Sequence, residues 1–223
     1  VGGTVDQGQR AGGFGRAAGW AGPGGGLRGV QHNAKGGGAR AVPAQLENHL
    51  RRRGGVAATR KIYDLARDDD ERPFFLMVSF SHPHDPYNAT QAYWDRYDAD
   101  AIPLPAVGPI PPEARDPHSQ RLYENYDRGD HRVTEDHIRG ARRAYYAMIS
   151  YVDDKIAELM ATLDAAGLAE QTIIVLTSDH GDMLGERGLW STINFFADSA
   201  RVPLLIHAPA RFQPRRPAHH VPP

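Results

Sequence analysis

The stretch TIIVLTSDHGDMLGERGLW, residues 172–190, decides the fold class, because an apolar run of strand length turns abruptly into charged and glycine-rich sequence. A continuous run of Ile, Val and Leu is typical of a strand that is covered on both faces in a mostly parallel sheet. Ligands of such sheets gather beyond the carboxyl ends of the strands. The stretch therefore predicts an α/β protein with polar residues placed at a strand exit.

The neighbouring segments supply the other elements of this fold class. From about Thr134 to Ala166, apolar residues recur at intervals of three and four, which predicts one long amphipathic helix that Gly167 ends. Two further apolar runs, FFLMVSFS at 74–81 and VPLLIHAP at 202–209, predict strands. This order of elements predicts a mostly parallel sheet flanked by helices.

Two other segments are less regular. A shorter helical pattern covers residues 56–68, and we expect Pro73 to end that helix. Between Asp98 and Asp130 come six prolines and many charges, an irregular excursion that is too long for a simple connection. An excursion of this kind favours a functional or mobile segment.

The first 55 residues differ in composition from the rest of the 223-residue chain. They hold eight Lys and Arg but only two acids, Asp6 and Glu47, together with 17 of the 24 glycines. No periodic apolar pattern of a helix or strand is visible among them, which predicts disorder. Arg51, Arg52 and Arg53 lack interleaved aromatic residues, so a solvated segment is favoured over a nucleic-acid partner.

Composition also excludes several function classes. The chain contains no cysteine, which excludes disulfides, Cys-based zinc sites and thiol nucleophiles. No run approaches the roughly 18 apolar residues of a membrane span, and the start lacks the apolar core of a signal peptide. We therefore expect a cytoplasmic protein without a membrane partner.

Polar residues follow two of the predicted strands. The run at 74–81 ends in HPHDPY, which contains His82, His84 and Asp85. The run TIIVLT at 172–177 ends in SDHGD, which contains Asp179, His180 and Asp182. If the two strands are parallel neighbours, these side chains could converge in one crevice. A carboxylate oxygen and a neutral imidazole nitrogen suit a divalent cation, and a second imidazole could move a proton near neutral pH.

Simpler interpretations compete with this one. An Asp-His-Gly sequence after a strand often makes an ordinary turn, in which Gly181 takes a positive φ and Asp179 bonds backbone amides. A His next to a Pro is common in surface turns. Asn88-Ala89-Thr90 fits a glycosylation sequon, a short pattern that often occurs by chance.

Three segments, taken in order, carry a family resemblance. They are FFLMVSFSHPHDPY at 74–87, ARRAYYAMISYVDDKIAELMATLDAAGLAEQTIIVLTSDHGDMLGERGLW at 141–190 and FFADSARVPLLIHAPARF at 195–212. Together they resemble the middle section of the sulfatases, and most closely the choline-sulfatase type. The resemblance implies an alkaline phosphatase-like α/β fold, incomplete in this chain. It also implies hydrolysis of a small sulfate ester, choline sulfate, to choline and inorganic sulfate.

The resemblance also implies roles for individual residues. Asp179 and His180 match the strand-end pair that binds the family's divalent cation, usually Ca²⁺. His84 matches the histidine of the family's Pro-His-x-Pro motif, which would protonate the leaving alkoxide. His82 is the weaker candidate, with a supporting or structural role expected.

The chain departs from the family pattern at three places. The implied nucleophile is a formylglycine made from a Cys or Ser in a Cys/Ser-x-Pro-Ser-Arg motif, and the chain has neither a cysteine nor Ser-x-Pro-Ser-Arg. The family's N-terminal pair of metal-binding aspartates has no counterpart. Thr192 stands where the family has a lysine that points at the sulfate, and it offers a hydroxyl but no positive charge.

These departures predict a partial sulfatase catalytic domain at residues 56–213, preceded by the atypical segment 1–55, which fits a frameshift product, and followed by a tail at 214–223. We expect no turnover by this chain alone, and uncovered sheet edges and apolar faces. The alternatives are a non-catalytic fragment that binds a metal ion or an anion, and a related phosphodiesterase or phosphonate monoester hydrolase. The sequence leaves a homo-oligomer open.

Overall fold

The computed structural model describes residues 3–5, 40–42, 49–70, 72–125, 133–192 and 194–209, with side chains from residue 55 onward. The strands are β1 Gly3–Val5, β2 Arg40–Val42, β3 Leu76–Val78, β4 Asn88–Thr90, β5 Ile174–Thr177 and β6 Leu204–His207. The α-helices are α1 His49–Arg67, α2 Gln91–Trp94, α3 Pro117–Asn125, α4 Glu135–Ala165 and α5 Ala197–Ala200. Most of the segment 1–55, for which the sequence predicts disorder, and the tail 214–223 lie outside the described residues.

The described strands form three two-stranded sheets. β1 pairs with β3 and β2 pairs with β4, both in parallel, whereas β5 and β6 are antiparallel, with Ile174 opposite His207. The mostly parallel arrangement predicted from the sequence is thus found in two of the three described pairs. It is wrong for β6, because residues 178–203 return the chain through loops and the four-residue α5 instead of the long helical crossover that parallel neighbours need.

The longest element is α4, and it begins and ends where the sequence predicts. The Thr134 hydroxyl accepts a hydrogen bond from the His137 backbone N–H at 3.3 Å, and the Thr134 N–H donates to His137 Nδ1 at 3.3 Å. This reciprocal cap satisfies two N–H groups at the helix start. Beyond the C-terminus, Gly167 has a φ of 71°, the left-handed backbone that glycine adopts without strain.

The core lies where α4 faces β4 and the loop that follows β5. Three alanines on α4, Ala141, Ala144 and Ala147, are buried and let bulkier side chains from the loops approach the helix closely. The buried members of this cluster are Tyr87, Ala89, Leu122, Tyr123, Ala141, Ala144, Ala147, Met148, Met183, Leu189 and Trp190. Packing is therefore concentrated around the exits of the strands.

The strands themselves are less covered than their apolar sequences predict. Every residue of β6 is exposed, and Leu204 retains 66% of its accessible surface. In β5, Val175 is 56% exposed, and in β3, Met77 is 52% exposed. The expectation of strands buried on both faces is wrong here, since an apolar run shows only that a strand is suited to burial, and other segments must supply the covering layers. The exposed faces agree with the expected uncovered sheet.

Two boundaries also differ from the sequence prediction. α1 begins at His49, inside the segment 1–55 for which the sequence predicts disorder, and it ends at Arg67, well before Pro73. The excursion contains α3, which starts after Asp116. The Asp116 carboxylate accepts hydrogen bonds from the Ser119 hydroxyl and the Ser119 and His118 N–H groups, at 2.5, 3.0 and 2.8 Å. These bonds lower the pKa of Asp116 to about 2.

Across the part of the chain that is described, no helix combines the length and the apolar character needed to cross a membrane.

Candidate active site

The loops after β3 and β5 bring His84 and His180 together. Their ring centroids lie 6.1 Å apart, with the ring planes inclined at 63°. The sequence predicts this convergence through neighbouring parallel strands, but β3 pairs with β1 and β5 with β6. The loops and α4, rather than direct pairing of these strands, bring the two histidines together.

His84 is held by the residue that follows it. His84 Nδ1 lies 2.7 Å from Asp85 Oδ1 and 2.9 Å from the Asp85 backbone oxygen, so an Nδ1–H donates to acceptors of the same residue. The hydrogen bond that His84 donates to the Asp85 carboxylate, together with the negative charge of that carboxylate, raises the pKa of His84 to about 9, against the opposing effect of burial. The imidazole is therefore charged at neutral pH, and its Nε2–H remains available to another acceptor.

Asp179 and His180 present two donors of the kind that a divalent cation binds. His180 Nδ1 lies 2.9 Å from the Gly181 carbonyl oxygen, and His180 Nε2 lies 3.8 Å from Asp179 Oδ2. An Nδ1–H that donates to the carbonyl leaves the Nε2 lone pair for a metal ion, as in many metal-binding histidines. Ligand distances of about 2.0–2.5 Å allow two donors separated by 3.8 Å to bind the same cation.

This pair is not a complete metal site. Within the residues that the structure describes, no group of three His, Asp or Glu side chains is arranged to hold a metal ion. Ca²⁺ takes about six to eight oxygen ligands, so Asp179 and His180 fit the role of two ligands among several.

Gly181 fixes the orientation of the Asp-His-Gly turn against α5. The Gly181 N–H donates to the Ser199 carbonyl oxygen at 2.8 Å. A Cβ at this position would lie 2.0 Å from the Asp198 carbonyl oxygen, a distance that backbone atoms do not tolerate. Gly181 does not have a positive φ, so the left-handed turn of the simpler interpretation is wrong. Glycine is needed here because the backbone of α5 approaches closely.

The partly buried carboxylate of Asp182 connects the two loops of the site. Its Oδ2 accepts a hydrogen bond from the Tyr87 hydroxyl at 2.8 Å, and its Oδ1 accepts from the Leu184 N–H at 2.9 Å. Burial raises the pKa of Asp182 and raises the pKa of Tyr87 well above its usual value. Asp182 follows His180 closely and Tyr87 follows His84, so this bond joins the two loops of the site.

The excursion is attached to the same loops by Glu186. Glu186 Oε1 accepts from the Ala106 N–H at 2.8 Å and Oε2 accepts from the Val107 N–H at 2.9 Å. From α4, Arg142 Nη1 donates to the Leu184 carbonyl oxygen at 3.2 Å and lies 3.6 Å from Glu186 Oε1. These contacts hold the excursion, α4 and the loop after β5 as one packed unit.

The remaining candidates, His82, Thr192 and the sequon at 88–90, make contacts that support the fold. His82 is buried, and its ring packs edge-on against Tyr151 of α4 at 5.2 Å between centroids. The Thr192 backbone oxygen accepts from the Ser199 hydroxyl at 2.8 Å. In the sequon, Asn88 lies in β4 and Thr90 is buried, a poor setting for an accessible glycosylation loop.

Sequence reasoning did not give roles to Asp85, Tyr87 or Glu186. The sequence places Asp85 at the strand exit beside His84, and its role could have been found from that position, because a carboxylate beside an imidazole stabilises the charged ring. The contacts of Tyr87 and Glu186 have no such local signal, since their partners lie 95 and about 80 positions away.

Comparisons with known proteins identify the family. The Sulfatase family model matches residues 55–221. Choline-sulfatase of Rhizobium meliloti (strain 1021) is 48% identical over 176 residues, which cover 74% of this chain and 33% of that protein. Iduronate 2-sulfatase of Mus musculus is 35% identical over 155 residues, covering 64% of this chain and 28% of the relative. The chain thus spans about a third of the length of these relatives.

A solved structure supports the fold. The phosphonate monoester hydrolase SpPMH of Silicibacter pomeroyi matches with a TM-score of 0.51 and 28% identity, covering 68% of this chain and 32% of that chain. The fold is therefore that of the alkaline phosphatase-like superfamily. Within that superfamily, the chain belongs to the sulfatase family. Sulfatases generally use a divalent cation.

Proposed function

We propose that this chain carries the leaving-group side of a sulfuric ester hydrolase site of the choline-sulfatase type. In that reaction, choline sulfate and water give choline and inorganic sulfate. The observation that supports it best is the position of His84, whose ring lies 6.1 Å from that of His180 and whose Nδ1 is held 2.7 Å from Asp85 Oδ1. The 48% identity to a choline-sulfatase supports the choice of substrate.

His84 is the proposed general acid. Its Nδ1 is occupied by Asp85, so the Nε2–H is the proton that can be given to the leaving alkoxide. A pKa of about 9 keeps that proton in place at neutral pH. A well-placed acid of this kind contributes about two to four orders of magnitude in rate.

Asp179 and His180 are the proposed metal ligands. A divalent cation, Ca²⁺ by the resemblance, would neutralise charge on the sulfate oxygens when bound. The two side chains supply two ligands, and the chain alone is therefore expected to bind a cation weakly. Residues 56–213 are proposed as the part of the catalytic domain that holds these groups.

The nucleophile has to come from sequence outside these 223 residues. They contain neither a cysteine nor Ser-x-Pro-Ser-Arg, the two sources of formylglycine that the family resemblance implies. Thr192 also supplies no positive charge for the sulfate. We therefore propose that the isolated chain does not turn over, and that its chemistry is seen only when the rest of a sulfatase site is present.

A phosphonate monoester hydrolase is the second candidate. The match to SpPMH favours it, since that structure shares the fold at 28% identity. An acid that protonates a leaving oxygen serves a phosphonate ester as well as a sulfate ester, so the geometry of His84 does not separate the two.

A chimera tests the proposal. Residues 56–213 would replace the matching third of the Rhizobium meliloti choline-sulfatase, with that relative as the reference. We expect hydrolysis of choline sulfate in preference to an aryl sulfate and a phosphonate monoester, and a loss of about 10²–10⁴ in kcat on His84→Gln.

Two results would contradict this. Preference of the chimera for the phosphonate ester would favour the second candidate. Turnover of choline sulfate by the isolated chain with added Ca²⁺, at a rate typical of enzymes, would show that the missing nucleophile motif is not required.

A further inference from the structure

The hydrogen bond between Tyr87 and Asp182 links the two loops that carry His84 and His180. Tyr87 lies three residues after His84, and Asp182 lies two residues after His180. The bond is 2.8 Å long and joins side chains that are 95 positions apart in sequence. With such short connections on both sides, movement of this pair must move the histidines.

The Tyr87 ring has little freedom. It is 1% exposed, and it packs between Tyr145 of α4, at 6.2 Å between centroids, and Trp190, at 6.1 Å. Trp190 in turn lies against Gly185, where an added Cβ would come within 3.3 Å of the indole. The core thus fixes where the Tyr87 hydroxyl points.

The Tyr87 hydroxyl stabilises the carboxylate of Asp182. This carboxylate is partly buried, and leaving its oxygens unpaired away from water is costly. The Leu184 N–H donates to Oδ1 and the Tyr87 hydroxyl donates to Oδ2, and the Ser191 backbone N–H is a further donor to the same carboxylate. The loop after β5 is therefore stable where its carboxylate can reach Tyr87.

We propose that Tyr87 is a positioning residue, whose hydroxyl holds Asp182 and thereby sets the separation of His84 from His180. The catalytic value of that separation rests on the proposed function. The separation itself does not, so it can be measured without a metal ion or a substrate.

A matched pair of variants tests the inference. Tyr87→Phe removes the hydroxyl and keeps the ring, while Tyr93→Phe removes a comparable bond, from Tyr93 to Asp154 at 2.9 Å, outside the site. The first readout is the cross-relaxation peak between the ring protons of His84 and His180 in ¹³C-histidine-labelled protein, assigned with His84→Gln and His180→Gln. We expect the peak in the wild type and in Tyr93→Phe, and its loss in Tyr87→Phe.

The second readout is the Mn²⁺ concentration that half-broadens the His180 ring signals. Residues that support metal ligands typically change affinity by about 10- to 100-fold, and we expect about a tenfold increase for Tyr87→Phe but not for Tyr93→Phe. If Mn²⁺ broadens nothing in the wild type, the proposed metal ligands are wrong, and the cross-relaxation peak still decides whether Tyr87 positions the loops.

Asp182→Asn covers the case in which Tyr87→Phe does not fold. It leaves one carbonyl oxygen for donors that include the Tyr87 hydroxyl and the Leu184 N–H, so we expect a weakened peak. A full-strength peak in Tyr87→Phe or in Asp182→Asn, or an equal loss in Tyr93→Phe, would overturn the inference.

Discussion

The loops that follow β3 and β5 are packed far more tightly than the strands that lead into them. Tyr87, Met183 and Trp190 in the loops are almost fully buried against α4. In β6, Leu204, Leu205 and Ile206 each keep more than half of their accessible surface. Burial in most sheets follows the opposite order, with the strands as the core and the loops at the surface.

This difference shows which parts of the fold the described residues can cover by themselves. The loops are covered by α4, which lies between β4 and β5 in the chain, so the described residues supply their own packing partners. The strands depend on layers from elsewhere, and the chain spans about a third of its relatives' length. The site geometry can therefore persist where the sheet remains open.

Two methionines give the largest expected contrast. Met148 on α4 is 1% exposed and Met77 in β3 is 52% exposed. We expect Met148→Ala to lower the free energy of unfolding by about 2–5 kcal/mol, because it opens a cavity in the core. Met77→Ala should change it by less than about 1 kcal/mol. Urea denaturation followed by tyrosine and tryptophan fluorescence measures both free energies. Equal losses would show that β3 contributes as much to stability as the core around α4.

Two glycines give the next largest effect. Gly181→Ala places a Cβ against the Asp198 carbonyl oxygen, and the short α5 must move to accommodate it. We expect a loss of about 2–3 kcal/mol in unfolding free energy, as for other overpacked sites. Gly108 has no atom within 4 Å of the same added Cβ and is the control. A stable Gly181→Ala protein with unchanged His180 signals would show that the turn does not depend on α5.

The His84–Asp85 pair is expected to give a change in titration rather than in packing. Asp85→Asn removes the carboxylate that raises the pKa of His84, so we expect the pKa to fall from about 9 towards the ordinary value of about 6.5. Histidine NMR signals followed from pH 5 to 10 measure this shift. An Asp85→Asn protein in which His84 still titrates near pH 9 would assign the shift to another group.

The same pair has a defined effect on stability. Since the pKa of His84 is higher in the folded chain than in the unfolded one, the pair stabilises the fold fully below about pH 6.5. That contribution is lost as the pH rises through about 9. The stability of Asp85→Asn should accordingly approach that of the wild type at alkaline pH.

The smallest expected change in folding comes from the exposed sheet. Leu205→Thr keeps a residue suited to strands and removes apolar surface from β6, where Leu205 is 59% exposed. We expect the unfolding free energy to change by less than about 0.5 kcal/mol, and light scattering at high protein concentration to fall. Unchanged scattering would mean that association does not involve this face.

The sequence predicts the elements with strong local signals. The three- and four-residue spacing, Thr134 and Gly167 define α4 within about one residue of its observed ends. The apolar runs give the positions of β3, β5 and β6, but not their coverage or the antiparallel pairing of β5 with β6. Coverage and pairing depend on which other segments lie against the strands, and an apolar run does not indicate which segments these are.

The site shows the same division. Convergence of His84 and His180 follows from the rule that polar residues gather at strand exits, although the strands are not paired as that rule assumes. The local support from Asp85 lies in the sequence beside His84. The long-range contacts of Tyr87 and Glu186 depend on how distant loops fold together, which one sequence without relatives does not reveal. The metal-ligand roles of Asp179 and His180 stay predictions.

The bonds made by Glu186 and Asp182 also order the events of folding. α4 closes its cap and its helical turns among neighbours in sequence, so it can form early and fast. The Ala106–Glu186 and Tyr87–Asp182 bonds join positions 80 and 95 residues apart, and each must first overcome the entropy of closing a long loop. During synthesis, the loop that bears His84 therefore cannot form its bond to Asp182 until the chain beyond residue 182 has been made. A nascent chain that stops earlier contains α4 but not the paired histidines of the candidate active site.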